Sequence, residues 1–471
     1  MALAACVAGA AGPFACGGNA FTAAGGDGGP TIEGSVEGAA DAPVEGAEGA
    51  PGDGSAMGDQ APPAEAGVPV HGTVVDQFLM PMAGVQVHSQ THAATTAPDG
   101  TFTLPSITIP YITTVVTTAA GGHKHGYVFS GVNRRDVTLQ LAGEQAGVAQ
   151  STALSGHLAA SGAAASGIVF ADLPAATPAA ASNTIPITLG ASDYSGAISW
   201  TGSSGAAATL YALQWLTTNG APNGYIAYGS APESLMSGTG LIWPTPTSPG
   251  PGQGTMTVSL GVSMGYVAGE ISVFFRPPTA RIAAAITHDF KVLTNSDTVV
   301  TPDITGSTFV ACGVQVPPGS DAGTNAVFGA ACKMGLGKDD APSLALPPPP
   351  TFVSPPTTAG IGTTFTWNSL PSAVYLVVFA PAGGTTSAGD TVFVLTTDSQ
   401  QKVPDLSLLG FVVPSGTTYV AEVYALAPFP TMDSALGPGG FAEYLTDFAL
   451  DQGPTVDGQL ARSDFAPFAV P

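Results

Sequence analysis

Cations are what this sequence has least of. Lys and Arg number 10 in 471 residues against 33 Asp and Glu, and the first of them is Lys124. The formal net charge of −23 therefore reflects missing bases more than abundant acids. A chain so poor in cations cannot neutralise a run of phosphates, which argues against nucleic acid as a partner. It equally argues against docking onto anionic lipid through basic side chains. Long apolar runs are missing too: nothing approaches the ~18 uninterrupted residues a membrane-spanning helix needs. Helix-forming stretches are scarce, because Gly 62 and Pro 42 make up more than a fifth of the chain and both disrupt helix interiors. No H-E-x-x-H and no D-x-D-x-D-G occurs, so neither a zincin-type zinc site nor an EF-hand calcium loop is expected.

What remains is short Val/Thr/Phe/Tyr runs punctuated by Gly and Pro roughly every ten residues, the pattern of sandwich strands and turns. The apolar fraction is 44% with mean hydropathy +0.30, enough for buried cores. The expected class is all-β: tandem antiparallel β-sandwich domains after a disordered N-terminal tether. At ~100–150 residues per domain the length suits about three to five units. Composition divides the chain into a low-complexity acidic Gly/Ala/Pro tract at 1–66, then units at 67–142, 143–250, 251–346 and 347–471. WPTPTSPGPGQG from Trp243 reads as a linker, and Pro347–Pro350 as a stiff polyproline spacer. Within Ala208–Trp215, ALQW admits a single helical turn. A strand, a Pro-Asp or Pro-Ser turn and an aromatic-led valine strand recur near Thr103, Thr301 and Val403, which suggests equivalent sandwich corners.

Two segments carry family resemblance. Gly72-x-Val74-x-Asp76, Pro81-x-x-Gly84-Val85-x-Val87 and Thr96-x-x-Asp99-Gly100-x-Phe102-x-Leu104 occur in that order. Together they resemble the carboxypeptidase regulatory-like domain, a small transthyretin-like sandwich. That resemblance implies a structural accessory without catalytic residues. Phe365-Thr366-Trp367, Tyr375–Phe379 and Pro414–Val423, the last of the form P-x-T-x-Tyr-x-V-x-V, are similar to fibronectin type III strands. The resemblance implies a fibronectin III/Ig-like sandwich in which the Tyr419 hydroxyl bonds a nearby backbone group. The long stretch between Tyr424 and Ala461 departs from a compact module of that family.

Four cysteines are present. Cys312 and Cys332 flank a Gly/Pro/Ser-rich loop; a disulfide closing it would contribute about 3 kcal/mol in the chain-entropy picture, the alternative being two buried thiols. Leu3-Ala4-Ala5-Cys6 resembles the bacterial lipobox, which implies acylation of Cys6, a membrane partner through an N-terminal lipid anchor and an oxidising compartment. Cleavage before Cys16 is the alternative. Only five residues precede Cys6 and none is basic, so the expected signal begins upstream of Met1.

Candidate chemistry is sparse. Gly261-Val262-Ser263-Met264-Gly265 matches G-x-S-x-G, but the mechanism needs a helix after the serine, and YVAGEISVFF is a strand pattern. Replacing Ser263 is expected to be silent. Five of the seven histidines, His71, His88, His92, His123 and His125, fall in the first sandwich. They are weak candidates for Zn²⁺ or Cu²⁺ and read otherwise as exposed polar positions. Trp200, Trp215, Trp243 and Trp367 are either core residues or sugar-stacking platforms. The resulting expectation is a non-catalytic, lipid-anchored protein of the bacterial outer membrane or cell surface, without cofactor, acting in binding, adhesion or envelope scaffolding toward a glycan or an envelope protein. The alternatives are an accessory subunit that positions substrate for a secreted hydrolase, and a glycan- or metal-binding surface protein.

Overall fold

The alternating runs become strands. The computed structural model describes residues 67–118, 122–157, 165–174, 183–191, 193–218, 221–243, 250–289, 295–319, 327–382, 389–438, 440 and 457–471, and nearly every regular element in them is β. The expected tether at 1–66, with Cys6 and Cys16, lies outside the described residues.

The first sandwich comprises β1 (Val68–Val75), β2 (Gln86–Ser89), β3 (His92–Thr95), β4 (Thr101–Ile107), β5 (Tyr111–Thr118), β6 (Lys124–Val132) and β7 (Asp136–Gln140). The second comprises β8 (Ala149–His157), β9 (Ala165–Asp172), β10 (Thr184–Ile187), β11 (Asp193–Thr201), β12 (Gly205–Thr218), β13 (Ala221–Met236) and β14 (Gly240–Ile242). The third comprises β15 (Gly252–Gly261), β16 (Val267–Arg276), β17 (Ala284–Asp289), β18 (Ser296–Asp303), β19 (Thr308–Val316), β20 (Phe328–Leu336) and β21 (Ser343–Ala345). All three share one topology. One sheet runs fourth–first–seventh, with first and seventh strands parallel, and the other runs third–second–fifth–sixth. ALQW is not a helical turn: it lies within β12, which pairs with β9 on one edge and β13 on the other. Ladder bonds on both edges outweigh local helix propensity.

The fourth sandwich comprises β22 (Thr364–Thr366), β23 (Val374–Pro381), β24 (Thr391–Thr396), β25 (Gln400–Lys402), β26 (Thr418–Ala427), α1 (Met432–Ala435), β27 (Gly458–Arg462) and β28 (Ala466–Ala469). β22 pairs β25, while β24, β23 and β26 form the larger sheet. β27 and β28 share the outer edge of β26, at Tyr424–Ala427 and Thr418–Ala421 respectively.

The fourth sandwich joins the others edge to edge. Its β24 lies parallel to β6, placing Phe393 beside Tyr127. Its β27 lies antiparallel to β20, placing Leu460 beside Ala330. The result is one 13-stranded sheet through the first, third and fourth sandwiches. Strands inside it are covered on both faces, so β19, β23 and β24 lose the alternation of a half-buried strand and are buried almost throughout. Val377, Val394 and Val423 pack with Phe365 and Trp367 inside the fourth sandwich. On the opposite face, Leu376, Phe393 and Leu426 share a core with Val74 and Leu139 of the first. The second sandwich is attached face-on instead, with Phe170, Leu213 and Trp215 packed with Val273, Phe275 and Phe309 of the third.

Two polar devices fix the remaining joints. Asp76, the last residue of the G-x-V-x-D motif, is fully buried. One of its carboxylate oxygens accepts from the N–H groups of Phe78 (2.8 Å) and Met80 (2.9 Å), and the other from Ala146 (2.7 Å) at the entry to the second sandwich. Burial pushes its carboxyl up, against the pull of these bonds. The stretch after Tyr424 that departs from a compact fibronectin module carries α1. The Asp433 carboxylate accepts from the N–H groups of Asn133 (2.8 Å) and Arg134 (2.9 Å), and Met432, Ala435 and Leu436 enter the core shared with the first sandwich.

The sixth strands β6 and β20 are capped by β24 and β27, but the 16-residue β13 pairs only with β12 among the described strands. It carries Pro222, Pro232 and Glu233. Proline removes a donor and charge disfavours stacking, which is how open edges resist further pairing. Pro232→Val combined with Glu233→Thr is expected to produce concentration-dependent self-association by size-exclusion chromatography. Unchanged elution across the same concentrations would remove this protective role.

Candidate functional site

The histidine candidates are dispersed by the fold. The Nδ1 of His71 lies 3.0 Å from the Thr103 hydroxyl on an exposed face. His88 on β2 and His92 on β3 are half-buried. His123 lies 3.9 Å from the Asp390 carboxylate, near enough for an ion pair when protonated. His125 departs from the expected exposed position and is 2% exposed. Among the described residues no group of three His, Cys, Asp or Glu side chains converges as a metal site would require.

What the fold assembles instead is a polar cleft of about 470 Å³ at the seam between the first and fourth sandwiches, lined in part by Gln86, His88, Thr117, Lys124, Glu144 and Leu409. At its base, the Oε1 of Glu144 accepts from the hydroxyls of Thr117 and Tyr127 (3.2 Å for the latter) and lies 2.8 Å from the His125 Nδ1. Strand geometry explains the convergence. His125 and Tyr127 are two apart on β6 and share a face, and Thr117 lies beside His125 on β5. Burial would raise the Glu144 carboxyl, but hydrogen bonds from His125, Thr117 and Tyr127, with the His125 charge, hold it below the ordinary glutamate value. Burial and the Glu144 charge push the Tyr127 hydroxyl well above its ordinary range. It stays a donor, bonding the Ala142 carbonyl at 2.7 Å as well. Above this base the Lys124 N–H donates to the Asp390 carboxylate at 2.8 Å, and its ammonium donates to the Gly410 carbonyl. The arrangement presents an ionised carboxylate beneath a cleft with a cation at the rim, suited to hydrogen-bonded recognition.

Glu144 and Thr117 were not singled out from the sequence. Glu144 is the one charge in the LAGEQAG turn, and a carboxylate isolated in so uncharged a stretch is the available signal. Tyr127 reads from sequence as an ordinary strand aromatic, and it does stack on Phe393 with centroids 5.0 Å apart.

The other marked residues take structural positions. Ser263 lies in the β15–β16 turn, and the next element is the strand β16 rather than a helix. Its hydroxyl donates to the Leu346 carbonyl (3.0 Å) and accepts from the Gln315 amide (3.1 Å), while its N–H donates to the Gln315 Oε1 (2.7 Å). Silence on substitution is therefore no longer expected. Cys312 and Cys332 face each other across β19 and β20, with sulfurs 2.08 Å apart. Trp200, Trp215, Trp243 and Trp367 are 0%, 8%, 2% and 2% exposed, so none presents a sugar platform. The Tyr419 hydroxyl does bond a backbone carbonyl, but that of Asp390 at 2.9 Å, 29 residues away and at the entry to β24.

These contacts imply two outcomes. Glu144→Gln is expected to cost about 1–3 kcal/mol at neutral pH. Because the folded carboxyl titrates below its unfolded value, the wild-type advantage is present above about pH 4.5 and lost as pH falls through the lowered folded value. Urea titrations across that range check it; a gap that persists unchanged into acid would refute the linkage. Ser263→Ala is expected to cost about 0.5–1.5 kcal/mol through its lost turn bonds, and an unchanged urea midpoint would contradict that role.

No protein-family model matches the sequence, and no curated protein sequence does either. Solved structures that it matches include the Bacillus anthracis TIE protein, at 11% identity and TM-score 0.15, covering 60% of this chain and 50% of that one. This chain thus spans about half the length of that structure. BcpA, the major pilin subunit of Bacillus cereus, matches at 8% identity and TM-score 0.14 over 59% of this chain and 99% of that one. A DUF3823 family protein from Bacteroides uniformis ATCC 8492 matches at 12% identity and TM-score 0.17, over 46% and 100% respectively. The TM-scores are low throughout.

Proposed function

We propose that this chain is a non-catalytic bacterial surface protein whose fused sandwiches act in binding, adhesion or envelope scaffolding. The observation that carries the reading is the capping of the first and third sandwiches' edges by strands of the fourth, which turns separate modules into one continuous sheet. Modules joined by open linkers reorient freely; modules sharing backbone ladders and a core hold their clefts and loops at fixed spacing. Such a body suits the presentation of recognition surfaces. Its buried Asp76 and Glu144 carboxylates and the half-buried Ser263 hydroxyl are engaged in holding joints.

Within this reading, residues 67–142 are a carboxypeptidase regulatory-like domain, supported by the ordered motifs and the seven-strand arrangement. Residues 347–471 are a fibronectin type III-like unit. The lipobox-like Cys6, or Cys16 in its place, supplies a lipid anchor to the outer membrane, and the paired Cys312 and Cys332 suit an oxidising compartment.

The test uses the full reading frame expressed in a Gram-negative host. A membrane-impermeant label should reach the protein on intact cells, labelled palmitate should enter it, and Cys6→Ser should abolish that incorporation. Loss in Cys16→Ser alone would move the anchor. Protein confined to the cytosol, or ester hydrolysis abolished by Ser263→Ala, would overturn the reading.

A further inference from the structure

A second cleft, of about 610 Å³, lies between the second and third sandwiches, inside the range of about 300–1,000 Å³ typical of small-molecule sites. Asp172 ends β9, Thr209 lies on β12, Glu233 and Ser234 lie on β13, and Thr279 and Arg281 come from the connection between β16 and β17. The two sandwiches contribute opposite walls, so neither alone makes the site.

The polar groups are held in place. The Arg281 N–H donates to the Asp172 Oδ2 at 3.0 Å, and its guanidinium donates to the Leu173 carbonyl at 3.0 Å. The other Asp172 oxygen, Oδ1, is buried and has no hydrogen-bond partner among the described residues. Burial raises the Asp172 carboxyl, opposed by the Arg281 N–H and the charges of Arg281 and Arg276. Thr279 has φ 68° in a turn closed by the Ala280 N–H and the Pro277 carbonyl at 3.2 Å. Glycine ordinarily takes that left-handed turn position, and a β-branched residue there is strained. Thr279 and Thr209 both line the cleft, so hydroxyl-bearing residues from both sandwiches meet there.

The charges then select the ligand class. Asp172, Glu233 and Arg281 are the charged residues that line the cleft, so a free anion meets no excess of positive charge there, and among the described residues no group of three His, Cys, Asp or Glu gathers to hold a metal ion. A dense mixture of donors and acceptors remains: three hydroxyls, a guanidinium and two carboxylates. Small apolar surface from Ala207, Ala208 and Pro232 lies beside it. That set complements a neutral polyhydroxylated molecule. We propose that this cleft binds a glycan, with Asp172 and Glu233 accepting from sugar hydroxyls and Arg281 donating to sugar oxygens. The proposal rests on the binding role above and assigns it a place and a ligand chemistry.

The test is saturation-transfer difference NMR on the full chain with a panel of free di- and trisaccharides built from neutral hexoses and N-acetylhexosamines. At least one sugar should receive saturation. Its affinity should fall about tenfold in Asp172→Asn and in Glu233→Gln, the loss expected for one charge-assisted hydrogen bond. His88→Ala, in the other cleft, should leave it unchanged. Glu233 lies on an unpaired strand edge, so its variant should keep the wild-type circular dichroism even if the Asp172 variant does not. Transfer surviving Glu233→Gln would place sugar binding elsewhere on the chain and overturn this cleft. Transfer from no sugar would overturn the glycan proposal, while surface labelling and palmitate incorporation would still decide the surface role separately.

Discussion

An unfinished strand edge is the constraint on which this architecture depends. A sandwich with a third–second–fifth–sixth sheet leaves the backbone groups of its sixth strand facing outward, and such rows must be paired, covered or blunted. Three sandwiches here share that topology, and the chain meets the requirement in two ways. The fourth sandwich offers both ends of its larger sheet, β24 and β27, and each takes one sixth strand. The remaining one, β13, carries prolines and a glutamate. The wide sheet, the doubly covered strands and the seam cleft beneath Lys124 are all consequences of the first solution.

Edge pairing explains which parts of the fold were legible. The all-β class was plain because Gly and Pro exclude helices and the apolar runs have strand length. The Asp99-Gly100 step of the third motif was legible because its chemistry is local: the Asp99 carboxylate accepts from the Thr101 N–H at 3.1 Å. The seams were not, since Lys124 meets Asp390 across 266 positions and no local pattern encodes that partner. A trace was present nonetheless. Tyr375–Phe379 and Val392–Leu395 are unbroken apolar runs where a half-solvated sandwich strand should alternate, and continuous apolarity signals cover on both faces.

The clefts were less legible than the fold for a related reason. Glu144 draws its three partners from β5 and β6, and the second cleft draws its walls from two sandwiches. Histidine density in the first sandwich pointed to the right region for the wrong reason. Only His125 enters the buried network, as a partner of Glu144, and His88 lines the cleft above it. The tryptophans take the core alternative of the two that the sequence offered, since large aromatics fill cores between Gly-rich strands.

Scarcity of charge gives the few buried ionic groups unusual weight. Arg462 and Glu422 form a buried pair on β27 and β26, and Arg462 lies opposite both Phe328 of β20 and Tyr424 of β26. Burial raises the Glu422 carboxyl while the Arg462 charge lowers it. A buried pair of this kind adds little net stability over an apolar replacement, yet losing one partner leaves an uncompensated charge. Its position explains its use. At a junction whose other register partners are mostly small or apolar, where register could slip by two residues without exposing an apolar face, a single ion pair distinguishes the correct alignment of β27 from its neighbours. The same logic applies to Asp76 and Asp433, each of which binds named N–H groups of another segment. Apolar burial holds these sandwiches together, and a handful of carboxylates decides where along one another they sit.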